Sequence, residues 1–269
     1  KKIDKENKYS LCGYTMSNGN RFVIDTAKTS LSNISVSKND KFLAYLASTD
    51  TAKVKNSTFK LFDLKGQKKF ISLDSTSSFI ADCKTVSENQ SFVFTENEKY
   101  MFLGIADAVK EEPKDTLLGS EKAKLDVWHY ADKRNQPMQL LELGRDRKAS
   151  ELHVLHLDNF ELIRIEDENV KARASKNISG EYIFATDDTP YELEYNWNFP
   201  FASNHYRISL IDGSRKLLKE GVVMSGEISP SGKYYTYFND TQAQHYVVDI
   251  EANTGTCLTC GTKDVNWQV

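Results

Sequence analysis

The stretch Ile228-Ser229-Pro230-Ser231-Gly232-Lys233-Tyr234-Tyr235-Thr236-Tyr237 joins a polar turn to an aromatic segment. Serine, proline and glycine are typical of tight turns, and the aromatic and threonine residues that follow are typical of a β-strand. A second strand is predicted at Tyr246-Val247-Val248-Asp249-Ile250, and a further turn ends at Gly255. This order of turns and strands predicts an antiparallel sheet in this part of the chain.

Weaker copies of the same unit occur upstream and predict a repeat protein. The copies begin at Ser37, Ser87, Ser179 and Ser229, so consecutive leading serines are separated by 50, 92 and 50 residues. The middle interval is close to two periods, and a period of about 40–50 residues is typical of the four-stranded blades of a β-propeller.

Hairpin patterns complete the units. Strand pairs are predicted to turn at Lys65-Gly66, Asp158-Asn159 and Asp212-Gly213, since asparagine and glycine tolerate the positive φ of tight turns. Blades stacked face to face bury both faces of each sheet. We therefore predict an all-β fold, a β-propeller of four-stranded antiparallel blades with almost no helix. A β-sandwich is the disfavoured alternative, because the similarity recurs at the length of a blade.

The composition fits a globular protein of one domain, residues 1–269, and excludes other classes. Hydrophobic residues make up 39% and charged residues 27% of the chain, which argues against disorder. The formal net charge of -3 gives no basic surface, so no nucleic-acid partner is expected. No apolar run approaches the ~20 residues that cross a bilayer, and no apolar signal region stands at the N-terminus.

Two segments interrupt or end the repeat. Residues 105–124 are polar, and we predict a long exposed loop between two strands of one blade. Val265-Asn266-Trp267-Gln268-Val269 has the pattern of the opening strand of another unit. At ~45 residues per blade, a ring of seven or eight blades needs a longer chain, so we expect an incomplete propeller of about five to six blades.

Three segments resemble the N-terminal propeller of bacterial prolyl-oligopeptidase-type serine peptidases, including dipeptidyl-peptidase-like members. They are Pro113-Lys114-Asp115-Thr116-Leu117-Leu118, Lys124-Leu125-Asp126-Val127-Trp128-His129-Tyr130 and Gln136-Pro137-Met138-Gln139-Leu140. Asp126-Val127-Trp128 with the downstream Gln-Pro-x-Gln-Leu is the more specific part. The resemblance spans roughly residues 35–269 and is strongest to large secreted or periplasmic forms found in Bacteroidetes.

In that family a non-catalytic propeller lies over an α/β-hydrolase domain and restricts which peptides reach its active site. The hydrolase carries its nucleophile in a Gly-x-Ser-x-Gly elbow. This sequence has no such elbow, since Ser225 lacks a glycine two places before it. The resemblance therefore implies that the chain holds no catalytic residue and is not by itself an enzyme. It also implies a parent serine peptidase with a hydrolase domain outside this chain, a peptide substrate, and a periplasmic or secreted location.

Candidate binding residues lie in two places. Glu111 and Glu112 are similar to the glutamate pair with which dipeptidyl peptidases grip the amino terminus of a substrate, although a solvated loop is the more ordinary interpretation. Tyr195, Trp197, Phe199 and Phe201 belong to an aromatic-rich insertion, which indicates either packing at a blade edge or an exposed surface that contacts a peptide, a glycan or the hydrolase domain.

No metal or cofactor site is predicted. Cys257-Leu258-Thr259-Cys260 lacks two further ligands for zinc and the βαβ setting of a redox motif, which leaves unpaired strand-end cysteines or a local disulfide open. His153 and His156 lie three residues apart on a predicted strand, so their side chains point to opposite faces.

Two functions follow from these observations. The first is the propeller of a prolyl-oligopeptidase-type peptidase that gates peptide access to the hydrolase. The alternative is a free-standing propeller that acts as a protein- or ligand-binding scaffold.

Overall fold

The computed structural model describes residues 9–48, 57–66, 68–73, 83–108, 116, 118, 125–223, 225–262 and 267, and within these the chain is mostly β. In chain order the elements are β1 (Tyr9–Tyr14), β2 (Arg21–Ala27), β3 (Ser30–Val36), β4 (Phe42–Ser48), β5 (Thr58–Asp63), β6 (Lys68–Leu73), β7 (Lys84–Val86), β8 (Val93–Phe94), β9 (Tyr100–Asp107), α1 (Gln136–Asp146), β10 (Glu151–His156), β11 (Leu162–Arg164), β12 (Val170–Ala172), β13 (Tyr182–Asp187), a 3₁₀ helix (Thr189–Asn196), β14 (Ser203–Ser209), β15 (Arg215–Val222), β16 (Gly226–Ile228), β17 (Tyr234–Asn239), β18 (Gln244–Asp249) and β19 (Thr254–Cys257).

Four of the sheets have the connectivity of propeller blades. Blade 1 has the order β3-β4-β5-β6, blade 2 the order β7-β9-β10-β11, blade 3 the order β12-β13-β14-β15 and blade 4 the order β16-β17-β18-β19. In blade 2, β8 also pairs with β9, and β1 and β2 form a separate two-stranded sheet. Sequential antiparallel strands define such blades, so the predicted fold class is confirmed. The number of about five to six blades stays a prediction.

The same hydroxyl-capped turn leads into the second strand of blades 1 and 2. The backbone N–H of Phe42 donates to Ser37 Oγ at 3.0 Å, and the N–H of Tyr100 donates to Thr95 Oγ1 at 3.1 Å. The returning bonds, from the N–H of Ser37 to Phe42 O and of Thr95 to Tyr100 O, are 2.9 and 3.0 Å long. The sequence pattern placed the turn of blade 2 at Ser87. In the structure this turn begins eight residues later, at Thr95, and threonine supplies its hydroxyl.

The turn of blade 4 follows the same pattern. The N–H of Tyr234 donates to Ser229 Oγ at 3.1 Å, and the N–H of Ser229 donates to Tyr234 O at 2.8 Å. The fourth residue of all three turns has positive φ, namely Asp40 (54°), Glu98 (54°) and Gly232 (72°). Backbone conformation, rather than the serine alone, therefore defines the repeat.

Blade 3 has the shortened copy of the turn. Here the N–H groups of Ser179 and Gly180 both donate to the carbonyl of Pro230, at 3.0 and 3.1 Å. A Cβ on Gly180 would lie 2.4 Å from the backbone oxygen of Ser231. Only glycine therefore allows the turn of blade 3 to approach the turn of blade 4 this closely.

The chain divides into two compact units, Lys1–Lys122 with Lys148–Leu162 and Ala123–Arg147 with Ile163–Val269. In the first unit the facing sides of blades 1 and 2 share one apolar core. There Phe42 stacks on Phe94 at a centroid distance of 6.4 Å, and Phe59 meets Phe92 edge-on at 5.1 Å. In the second unit aromatic contacts join blades 3 and 4. Consecutive blades thus bury their faces against each other inside each unit, as predicted.

The chain is mostly β, as predicted, and α1, the one α-helix among the described residues, was not predicted. Asn135 caps its N-terminus by accepting the N–H of Met138 at 3.0 Å, and Pro137 stands in the first turn. The helix buries none of its residues. Sequence periodicity missed it because a helix without a buried face need not carry an apolar stripe.

Candidate functional site

Two insertions leave the blades at corresponding positions. In blade 2, β9 ends at Asp107 and pairs with β10, which begins at Glu151. Residues 105–107 of the predicted polar loop 105–124 therefore belong to β9, and most of the remainder lies outside the described residues, so the loop stays a prediction. A shorter connection joins β13 to β14 in blade 3. Each joins the second strand of its blade to the third, so it lies at the blade end opposite the turn that leads into the second strand. Below, residues 125–147 are the helical insertion and residues 189–201 the aromatic insertion.

The glutamate pair predicted in the first of these connections lies outside the described residues. Glu111 and Glu112 belong to the segment 109–115, which the structure does not describe. Their role in gripping a substrate amino terminus stays a prediction.

Three of the four aromatic candidates form a ring cluster on the aromatic insertion. Tyr195 and Phe201 are 4.0 Å apart between ring centroids, and Phe199 meets Phe201 edge-on at 5.5 Å. Phe199 is 83% exposed, and the fourth candidate, Trp197, is 74% exposed in the same segment. Within this insertion the chain forms the 3₁₀ helix Thr189–Asn196, which begins directly before Pro190.

Hydrogen bonds hold the base of this insertion in place. Tyr195 Oη donates to Asp188 Oδ2 at 2.8 Å, and Tyr191 Oη donates to Asn204 Oδ1 at 2.8 Å. Burial raises the pKa of both phenols, and for Tyr195 the bond to Asp188 adds to it. The backbone that carries the exposed rings is therefore held in place by hydrogen bonds of Tyr191 and Tyr195.

The helical insertion is also rich in exposed apolar residues. Tyr130 is 95% exposed. Arg134 precedes α1 and forms ion pairs with two of its residues, Glu142 at 2.5 Å and Asp146 at 2.8 Å. The other large apolar residues that it exposes are Leu125, Val127, Trp128, Met138, Leu140, Leu141 and Leu143.

An ion pair joins the two insertions. Lys133 Nζ lies 2.8 Å from Glu192 Oε2, and both residues belong to the second unit. Single exposed hydrophobic residues are common on protein surfaces, whereas concentrations of them are less so; a role of these residues as an interface stays a prediction. The sequence signalled only the aromatic insertion, because the apolar residues of the helical insertion are scattered among polar ones.

A serine and a histidine meet in blade 3. Ser203 Oγ lies 3.1 Å from His205 Nε2, and Tyr235 Oη lies 2.7 Å from His205 Nδ1. His205 is only 2% exposed, and its burial lowers the pKa to about 4. Phe184 packs edge-on against the imidazole at 5.0 Å. The partner on the second nitrogen is a phenol rather than a carboxylate, so this is a packed polar network and not a Ser-His-acid triad.

The structure also places the cysteine and histidine candidates. Cys257 and Cys260 form a disulfide, which resolves the open alternative in favour of pairing, whereas Cys12 and Cys83 are free. His153 and His156 both lie on β10, as predicted.

Among the described residues, no group of three or more His, Cys, Asp or Glu side chains is placed to hold a metal ion. Within that same part of the chain, no helix is long and apolar enough to cross a membrane.

No protein-family model matches the sequence, and no curated protein matches it. Among solved structures, the chain is similar to a prolyl endopeptidase, with 12% identity and a TM-score of 0.43 over 94% of this chain and 33% of that one. It is also similar to the β-propeller domain of the trilobed protease from Pyrococcus furiosus (10% identity, TM-score 0.42, 94% and 64% coverage) and to TolB from Acinetobacter baumannii (13% identity, TM-score 0.36, 94% and 50% coverage). The chain spans less than two thirds of each of these structures, and similarity at this level concerns the fold alone.

Proposed function

We propose that the chain is the non-catalytic propeller of a prolyl-oligopeptidase-type serine peptidase, which gates peptide access to an α/β-hydrolase domain. The observation that carries this proposal is the exposure of the very segment that resembles the family. Trp128 and Tyr130 are largely exposed and contribute nothing to a blade core. Folding of the blades does not require these residue types, so contact with another domain or a peptide is the better reason for them.

The blades and the insertions suit the two parts of such a role. Sheets closed by hydrogen bonds and face-to-face packing give a rigid support. The helical and aromatic insertions both expose apolar side chains, and the ion pair of Lys133 with Glu192 joins them. A domain that selects peptides needs both a rigid sheet framework and exposed contact residues, because the framework keeps those residues in place when a peptide binds.

Catalysis is assigned to the hydrolase domain of the parent protein. The sequence has no Gly-x-Ser-x-Gly elbow, and in the pair of Ser203 with the buried His205 the second ring nitrogen contacts a phenol rather than a carboxylate. A periplasmic or secreted location is part of the same proposal, and the Cys257–Cys260 disulfide supports it because disulfides persist in oxidising compartments.

Active-site labelling tests this function. The natural protein and residues 1–269 alone are each treated with a fluorophosphonate, and the labelled serine is located by mass spectrometry. We expect a label on the natural protein at a serine outside these 269 residues, and hydrolysis of short but not of long peptides. A label on any serine of this chain would contradict the proposal. Absence of any label on the natural protein would also contradict it and would favour the free-standing binding scaffold.

A further inference from the structure

The Cys257–Cys260 pair stands at an exposed end of blade 4. Cys257 is the last residue of β19, and Cys260 follows three residues later. Cys257 is half-buried, whereas Cys260 is exposed. A disulfide with an exposed sulfur can be attacked by a thiolate from solution without prior unfolding.

The backbone between the two cysteines is held by contacts that do not involve sulfur. The N–H of Leu258 donates to His245 O at 2.8 Å. Thr259 is buried, its Oγ1 accepts the N–H of His245 at 2.9 Å, and its hydroxyl donates to Gln244 Oε1. These bonds attach the loop to β18, so the two sulfurs stay close to each other when the bond between them is broken.

One of the sulfurs is prepared to leave as a thiolate. The backbone N–H of Cys260 donates to Cys257 Sγ at 3.0 Å. A hydrogen bond to the charged form of a group favours that form, and a stabilised thiolate is the better leaving group in disulfide exchange. Cys260 Sγ has a longer contact, with Tyr246 Oη at 3.9 Å. The shorter bond therefore makes Cys257 the better leaving sulfur, and the exposure of Cys260 makes that residue the one open to attack.

We propose that Cys257 and Cys260 form a thiol–disulfide exchange site for low-molecular-weight thiols. The incoming thiolate attacks Cys260 Sγ, the Cys257–Cys260 bond breaks, and its electron pair leaves with Cys257 as a thiolate. A second thiol, as thiolate, then attacks the outer sulfur of the mixed disulfide. This step gives the reduced pair and the oxidised dimer of the small thiol, and the two protons of the consumed thiols pass to the two cysteines. Resealing by Cys257 reverses the first step.

Reduced glutathione is the probe for this site. The chain carrying Cys12→Ser and Cys83→Ser is treated with excess glutathione under native conditions, its free thiols are blocked with N-ethylmaleimide, and it is digested with trypsin. Both cysteines of the pair then lie in the single peptide 234–263. We expect a mixed disulfide on Cys260 in about tenfold excess over Cys257, and then the dithiol, with the circular dichroism of the blades retained. A pair that stays oxidised until the protein is unfolded would overturn the proposal, as would a mixed disulfide mainly on Cys257.

A second variant tests the positioning by Thr259. Thr259→Val removes the hydroxyl that binds the loop to β18, and we expect the disulfide to re-form several-fold more slowly after reduction, because the sulfurs are no longer held together. Thr256→Val makes the same chemical change at an exposed residue of β19 and is expected to re-form it at the wild-type rate. Equal rates for both variants would contradict the positioning role.

Discussion

Replacing Thr95 with valine tests whether the hydroxyl-capped turn maintains the blades. Thr95 is 0% exposed, and its Oγ1 accepts the N–H of Tyr100 at 3.1 Å. Valine keeps the shape of threonine but removes the oxygen that accepts this N–H, and with it the hydroxyl that donates to Asn97 Oδ1 at 2.7 Å. Because Thr95 is buried, we expect the loss of these bonds to cost about 1–3 kcal/mol of unfolding free energy.

Two control variants, measured in the same assay, separate the effect of burial from the effect of losing the hydroxyl. Ser229→Ala removes the equivalent acceptor in blade 4, where Tyr234 is 42% exposed, so water replaces the bond and we expect a loss below about 1 kcal/mol. Thr95→Ser keeps the hydroxyl and should retain most of the stability. Urea unfolding followed by circular dichroism measures all three. Equal losses for Thr95→Val and Ser229→Ala would refute the reasoning, because burial would then make no difference.

Four further predictions concern other parts of the molecule. The pKa of His205 in the folded chain is about 4, below its usual 6.5, so between these values the unfolded chain takes up a proton that the folded chain does not. The contribution of His205 to stability is therefore full above pH 6.5 and falls by on the order of 2 kcal/mol toward pH 4. His205→Gln should flatten this part of the plot of unfolding free energy against pH. Gly180→Ala brings a Cβ against Ser231 O and should cost about 1–3 kcal/mol in urea unfolding, whereas Gly144→Ala in α1, with open space around it, should stabilise by up to about 1 kcal/mol. Trp197→Ala should change the unfolding free energy by less than about 0.5 kcal/mol, because the indole is exposed, yet weaken binding of peptides or of the hydrolase domain in calorimetry. Thiol titration of the denatured protein should find two reactive cysteines before reduction and four afterwards.

The sequence predicted the strands and hairpins well, because their signals are local. The turns at Lys65-Gly66, Asp158-Asn159 and Asp212-Gly213 all connect paired strands in the structure. The turn of blade 2 was misplaced at Ser87 because the physical requirement is a hydroxyl and a residue that accepts positive φ, which Thr95 and Glu98 also provide.

The site was harder to predict, because it depends on contacts between distant segments. The salt bridge of Lys133 with Glu192 joins residues 59 positions apart, and no periodicity in the sequence reports such a pair. Helix α1 is held by a cap and by Arg134 rather than by a buried face. The bond between His205 and Tyr235 likewise needs two blades in contact before either residue has a partner.

The fold is tested most directly by an experimental structure of residues 1–269. We expect β12-β13-β14-β15 and β16-β17-β18-β19 as separate antiparallel sheets. In the turns of blades 1, 2 and 4, we expect a backbone N–H to donate to the hydroxyl of Ser37, Thr95 and Ser229 respectively. Strands of these two groups interleaved in one sheet, or two stacked layers without blades, would contradict the account.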